Sequence, residues 1–297
     1  MSICRAVTLS GAGDRGAVEA GVIAALVANR PAEENQWSFV TGISAGAINA
    51  ASIAMFGVGN EKAASDFLTS QWLNISKSQV YNNWIPGGIL EGILFKQGMY
   101  NTEALSEFLH KYVNVEALQS SNRSLLIGAT SLTTGLFTIF EKSDPNIIQG
   151  VYASAAVPGI FPPVEKDGDT YVDGGETYMT PITDTARLCA DTGADQIVID
   201  IILGVGNPEA SMNVSSESTI PLLLRSWTIV THNIFMKDIE TAKQAFPSAT
   251  FNLFYPTQKL PGTFLDFDHS AVLLKYGYED AVAELQNQNL KIKSLRM

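Results

Sequence analysis

Short apolar runs alternate with stretches of helical spacing along almost the whole chain, and small-residue turns separate them. This alternation constrains the fold more than any other feature. Ala6–Ser10 is a β-prone run that ends in a glycine-rich turn. Gly16–Asn29 follows, with Val18, Val22, Ala25 and Leu26 on one helical face. Trp37–Gly42 reads as the next strand and Ala45–Phe56 as a small, apolar helix. Glu61–Leu73 and Thr102–Val113 read as amphipathic helices, and Tyr81–Gly98 between them as a loop or cap. Ser124–Thr130 and Leu136–Phe140 are strands joined by the turn Thr133–Gly135. Gln196–Leu203 is nearly all apolar, which suits a mid-sheet strand covered on both faces. Ile220–Phe246 has a long helical pattern, Thr250–Tyr255 is a late strand, and Ser270–Asn289 a closing helix. This order predicts an α/β fold with a mostly parallel central sheet flanked by helices. No repeat or linker interrupts it, so residues 1–297 read as one domain, with a motif-bearing core over 5–205 and a helical part over 219–297. Gly204–Ser218 is the candidate mobile loop.

Composition narrows the function classes. Hydrophobic residues make up 46% of the 297, enough for a large core and too many for wholesale disorder. The net charge of −11 argues against nucleic-acid binding and gives no long-range pull toward anionic membranes. Lipid contact would have to rest on apolar groups. Cys4 and Cys189 lie far apart without metal-type spacing, so neither a disulfide framework nor a cysteine zinc site is expected. His110, His232 and His269 are too few for a histidine-rich metal centre. No apolar run reaches the roughly 18 residues of a membrane span. The start, MSICRAVTLSG, lacks a signal peptide's apolar region and cleavage site, so the sequons at Asn74, Asn122 and Asn213 read as chance matches. These features predict a soluble, cytoplasmic chain that touches membranes transiently through apolar loops.

Three turns carry chemistry. The first is Gly11-Ala12-Gly13-Asp14-Arg15-Gly16, between the first strand and the first helix. Its glycines bring backbone N–H groups close to a ligand, and the helix N-terminus favours an anion there. A phosphate or a tetrahedral oxyanion would fit. The same spacing occurs in dinucleotide binders, which need a carboxylate at the end of the second strand. Glu33 and Glu34 have about the right spacing but precede that strand. The second turn, Gly42-Ile43-Ser44-Ala45-Gly46, has the strand–turn–helix context of a nucleophile elbow. The third, Asp173-Gly174-Gly175, ends a short apolar segment and offers a carboxylate with open space beside it. A serine hydroxyl needs such a base to accept its proton.

Taken together, these turns resemble the patatin-like phospholipase family. The G-x-G-x-[RK]-G, G-x-S-x-G and D-G-[GA] marks stand in order at Gly11–Gly16, Gly42–Gly46 and Asp173–Gly175. Ala153–Val164 (ASAAVPGIFPPV) is similar to the family's stretch before its catalytic Asp. The resemblance implies a three-layer fold and an acyl hydrolase acting on phospholipids or related lipid esters. It implies a Ser44–Asp173 dyad that needs no metal or cofactor, and an oxyanion hole of Gly11, Ala12 and Gly13. Arg15 would anchor the loop or meet a head group. Gly16, Gly42, Gly46, Gly174 and Gly175 fill the motif glycine positions. The chain departs from many members at Ala12, where a third glycine is common. Asp14 should then point outward, toward solvent or Arg15. A noncatalytic binding module, or acyl transfer to an acceptor other than water, stays open, and the sequence does not reveal whether a protein activator is needed.

A Ser–acid–His triad ending at His269 is the rival catalytic arrangement, but it leaves Ala153–Val164 unexplained. His110 and His232 read as structural. Trp84, Ile85 and Ile89–Phe95 would form a lid or a buried loop, burial being favoured. Leu222–Leu224, Trp227, Ile229, Val230, Ile234 and Phe235 would line an acyl channel or pack on the sheet, with core packing favoured.

Overall fold

The computed structural model describes residues 1–205 and 214–295. Its elements run β1 (Ile3–Leu9), α1 (Gly16–Asn29), β2 (Phe39–Gly42), α2 (Ala45–Ala54), α3 (Glu61–Asn74), α4 (Gly88–Phe95), α5 (Glu103–Tyr112) and α6 (Val115–Ser120). They continue with β3 (Ser124–Ser131), β4 (Phe137–Glu141), α7 (Ile147–Ser154), β5 (Val164–Lys166), β6 (Asp169–Asp173) and α8 (Ile182–Asp191). The chain closes with β7 (Gln196–Ile202), α9 (Thr219–Ala245), β8 (Thr250–Phe254) and α10 (Ser270–Leu295). One sheet runs in the order β5-β6-β3-β2-β1-β7-β8, with β4 also on β3. The strands from β3 to β8 through β2, β1 and β7 are parallel, as expected; β4 and β6 meet β3 antiparallel.

Three layers follow from the burial pattern. Helices α1, α2 and α7 carry small and branched side chains that pack on one face of the sheet, with α3 and α10 outside α1. Helix α8 and the second half of α9 cover the other face through Ile182, Ala186, Phe235 and Ile239. Parallel strands covered on both faces have no polar side to show, which is why β7 reads as an unbroken apolar run. Among the described residues, no helix is long and apolar enough to cross a membrane.

The structure corrects several expectations. Cys4 on β1 and Cys189 on α8 form a disulfide, with Cα atoms 5.5 Å apart. The sequence hid it because the two residues are 185 positions apart and meet only once α8 lies across β1. A cross-link closing so long a loop contributes on the order of 2–5 kcal/mol. It also removes the low cysteine count as support for a cytoplasmic chain, since disulfides persist mainly in oxidising compartments. The 81–98 segment contains helix α4, and five of the apolar side chains expected to be buried are exposed, Ile85 at 91% and Phe95 at 80%, while Trp84 and Ile89 are half-buried. Within α4 only Gly92 is buried, against the Gly98 and Met99 carbonyls. In α9, Phe235 is buried and Leu224 and Trp227 pack half-buried against the core, but Leu222, Leu223, Ile229 and Val230 are exposed, so core packing holds for only part of the helix. Helix α8, rich in β-branched residues, had no sequence assignment. Of the proposed mobile loop Gly204–Ser218, residues 206–213 lie outside the described residues.

Candidate active site

The three motif turns meet at one end of the sheet because their strands are neighbours. Gly42 ends β2 opposite Ile127 of β3, and Asp173 ends β6 opposite Ala129 of the same strand. Gly11 follows β1, the next strand along, and a Cβ built on it would lie 3.1 Å from Ser44 Cβ.

Ser44 sits at φ 55°, ψ −125°, a conformation that non-glycine residues adopt only when their surroundings force it. The surroundings here are close backbone contacts. A Cβ on Gly46 would come within 2.5 Å of the Leu9 and Ser10 carbonyls, so only glycine lets α2 start this close to β1. Gly42 packs against Gly46 in the same way. The Gly46 N–H then donates to Ser10 O, and the Ser44 N–H donates to Ser154 Oγ at 2.9 Å. Ser154 Oγ in turn donates to Gly128 O on β3 at 2.6 Å. Ser154 thus holds the elbow to the sheet. Sequence reasoning gave it no role, although it lies in the Ala153–Val164 stretch. The Asp173 N–H donates to Ala156 O at 2.9 Å, so the same stretch also fixes the carboxylate's strand end.

Asp173 is fully buried. Its Oδ1 accepts the Gly175 N–H at 2.8 Å, while Oδ2 has no formed hydrogen bond. Burial pushes this carboxyl up to about 7, against the opposing influence of the adjacent Ser44 hydroxyl. Gly174 packs on the Gly128 carbonyl beneath it.

The first turn differs in detail from the sequence reading. The Gly11 N–H donates to Met179 O at 3.2 Å and is therefore committed. The Ala12 and Gly13 N–H groups form no hydrogen bond among the described residues. Gly13 is held at φ 59°, where an added Cβ would lie 2.2 Å from Phe264 O, so the position admits only glycine. The same carbonyl accepts the Asp14 N–H at 2.8 Å. Residues 262–268 consequently close over Asp14, which is buried instead of facing solvent, with both carboxylate oxygens unpaired. Burial raises it to about 7, and Arg15 opposes the rise. Arg15 reaches Gly262 O at 3.4 Å, an anchor between the turn and this segment. Gly16 packs under the Trp72 ring.

A polar network beneath the turn was not legible in the sequence. Glu19 accepts from Ser10 Oγ at 3.1 Å and from Asn49 Nδ2 at 2.8 Å. Asn49 accepts from the Trp72 indole at 2.8 Å, and Ser10 Oγ accepts the Gly204 N–H at 3.0 Å. Glu19 is wholly buried, and burial lifts it to about 8. Its partners tie β1, α1, α2 and α3 together directly behind Ser44.

Beside Ser44 runs a narrow apolar cavity of about 60 Å³, between Ile48, Leu105, Phe108, Tyr112, Phe161 and Phe264. It is smaller than the roughly 300–1,000 Å³ of pockets for drug-sized ligands. His269 is not among its lining residues; it lies against Gly262, and its carbonyl starts α10 by accepting from Val272 and Leu273. Glu33 and Glu34 precede β2, at the opposite end of the sheet from the glycine turn. Neither therefore stands at the end of β2 where a dinucleotide's ribose would bind.

A strained serine at a strand–helix turn, a buried carboxylate and a glycine-rich turn thus stand together at one end of the sheet. Comparison with known proteins gives the family. The patatin-like phospholipase profile matches residues 7–186, and the chain belongs to that family, a family of lipid hydrolases. It is 32% identical over 97 residues to an uncharacterized protein, R571, of Acanthamoeba polyphaga mimivirus, covering 30% of this chain and 33% of that one. It is similar in structure to VipD from Legionella pneumophila, with TM-score 0.46, 16% identity, and coverage of 96% of this chain and 67% of that one. For the type III effector ExoU the TM-score is 0.43 and the identity 13%, covering 98% of this chain and 54% of that one. The chain thus spans a third of the matched viral protein and about half of ExoU.

Proposed function

We propose that the chain is a serine acyl hydrolase of lipid esters, working through Ser44 and Asp173. The observation that carries this reading is the pairing of a strained Ser44 with a buried carboxylate that keeps one oxygen unbonded. In the first half-reaction, Asp173 Oδ2 takes the Ser44 proton while Oγ attacks the ester carbonyl carbon. The Ala12 and Gly13 N–H groups stabilise the oxyanion; one such donor is worth on the order of 10²–10³ in rate. Collapse breaks the acyl C–O bond, and the alcohol leaves with the proton from Asp173. In the second half-reaction, Asp173 deprotonates a water that attacks the acyl-Ser44 ester. The fatty acid is released, and Ser44 regains its proton.

The cavity beside Ser44 takes the acyl chain. Its narrowness favours short chains, and longer ones must displace aromatic side chains such as Phe108. No step uses His269, and none uses a metal ion. The test compares wild type and His269→Ala on a soluble short-chain nitrophenyl ester and on phospholipid vesicles, with EDTA present. Hydrolysis by both proteins, within about threefold of each other, is the expected result. A His269→Ala protein without activity would show that a triad operates. A folded wild type inert on every ester would instead leave a binding module.

A further inference from the structure

Helix α4 presents a surface that the hydrolase chemistry does not use. We propose that α4, with the preceding Ile85, is a docking surface for a phospholipid bilayer, joined to the wall of the cavity beside Ser44. The proposal rests on the lipid-ester reading for the nature of its occupant.

Four observations carry it. Ile85, Leu90, Ile93, Leu94 and Phe95 are all more than half exposed within one short segment. Clustered apolar exposure of this kind marks an interaction surface. The helix also brings no unpaired charge: Glu91 meets Lys96 at 3.5 Å and accepts the Gly87 N–H at 2.9 Å. The Lys96 ammonium lies 5.0 Å from the Trp84 ring centre. A Trp and a Lys with an apolar stem are the side chains that sit comfortably at head-group level.

The third observation is position. The segment is an excursion closed at its base, where Asn82 and Asn101 exchange backbone hydrogen bonds at 2.9 Å. Its return leg pairs with residues 159–160: Met99 donates to Gly159 O and Tyr100 to Ile160 O. The next residue, Phe161, lines the cavity and packs at a tilt against the Tyr81 ring. The fourth is size. A helix of eight residues is about 12 Å long. That footprint falls short of the about 800 Å² per partner of a stable dimer, whereas a bilayer needs only insertion of the side chains. With the chain at −11, attraction comes from apolar insertion, so binding should survive high salt.

The experiment measures partition onto phosphatidylcholine vesicles in the Ser44→Ala background, so that the vesicles stay intact. The comparison protein adds Leu94→Asp and Phe95→Asp, exposed positions where a carboxylate leaves the fold unchanged. The expected result is salt-insensitive binding that falls at least about tenfold with the two substitutions. Hydrolysis of the soluble ester by Leu94→Asp/Phe95→Asp with Ser44 intact should stay at the wild-type rate. Unchanged vesicle binding in the variant would overturn the proposal. So would a dimer in solution that the same substitutions dissolve, because the occupant would then be a second copy. Vesicle binding without hydrolysis of any ester would leave the docking surface standing and remove the hydrolase reading. Ester hydrolysis without vesicle binding would do the reverse.

Discussion

Replacing Ser44 by Ala should lower kcat on a soluble ester by about 10⁴–10⁶-fold while the chain stays folded. The substitution removes one oxygen and leaves the elbow's backbone contacts in place, so KM should change little. Asp173→Asn should cost a comparable factor. An amide still meets the Gly175 N–H through its oxygen, but it cannot take a proton from Ser44. The two losses should not add. Nucleophile and base act in one step, so Ser44→Ala/Asp173→Asn should be no slower than the worse single variant. A steady-state comparison of the four proteins checks this. Strictly additive losses would mean that the two residues act in separate steps.

The second large effect is a crossing of activity and stability with pH. Asp173 must be ionised to act as a base, and burial holds it at about 7. Below that, kcat/KM should rise roughly tenfold per pH unit, then level off. Stability should move the other way. Asp14, Glu19 and Asp173 are raised from 3.8, 4.5 and 3.8 to about 7, 8 and 7. A carboxyl whose folded pKa is raised binds more protons in the native than in the unfolded chain between the two values. Its stabilisation is complete below about pH 4 and is lost as pH climbs through 7 to 8. Across the three groups the loss is on the order of several kcal/mol. Urea midpoints should therefore fall between pH 5 and pH 8.5, where most proteins are near their maximum. Asp173→Asn and Glu19→Gln should each flatten the slope. A midpoint that rises over this interval would show that these carboxyls are ionised in the native chain.

Local signals explain what could be read in the sequence. The elbow, the glycine turn and the Asp-Gly-Gly turn are short, and each announces itself through residues that tight strand–helix turns require. The parallel sheet was visible because buried strands lose their polar alternation. What stayed hidden depends on distant partners. Ser154 looks like any small helix residue until β3 and the elbow flank it. Gly11 looks like an oxyanion donor until Met179 O arrives from a segment more than a hundred positions away. Asp14 looks like a solvent-facing charge until residues 262–268 cover it. The Cys4–Cys189 bond and the Glu19 network are likewise products of tertiary packing. Helix α4 misled for another reason: an apolar run is usually evidence of burial, and here it faces outward.

The central claim is that Ser44 is the nucleophile and Asp173 its base. Phosphonylation tests it most directly. A short-chain alkyl fluorophosphonate, added to the folded protein, forms a P–O bond to the attacking oxygen and releases fluoride. Intact mass and peptide mapping then give the number and place of adducts. One adduct per chain, on Ser44, formed faster as pH rises through about 7 and strongly slowed in Asp173→Asn, is the expected result. An adduct on another residue, or none on a chain that hydrolyses esters, would contradict it.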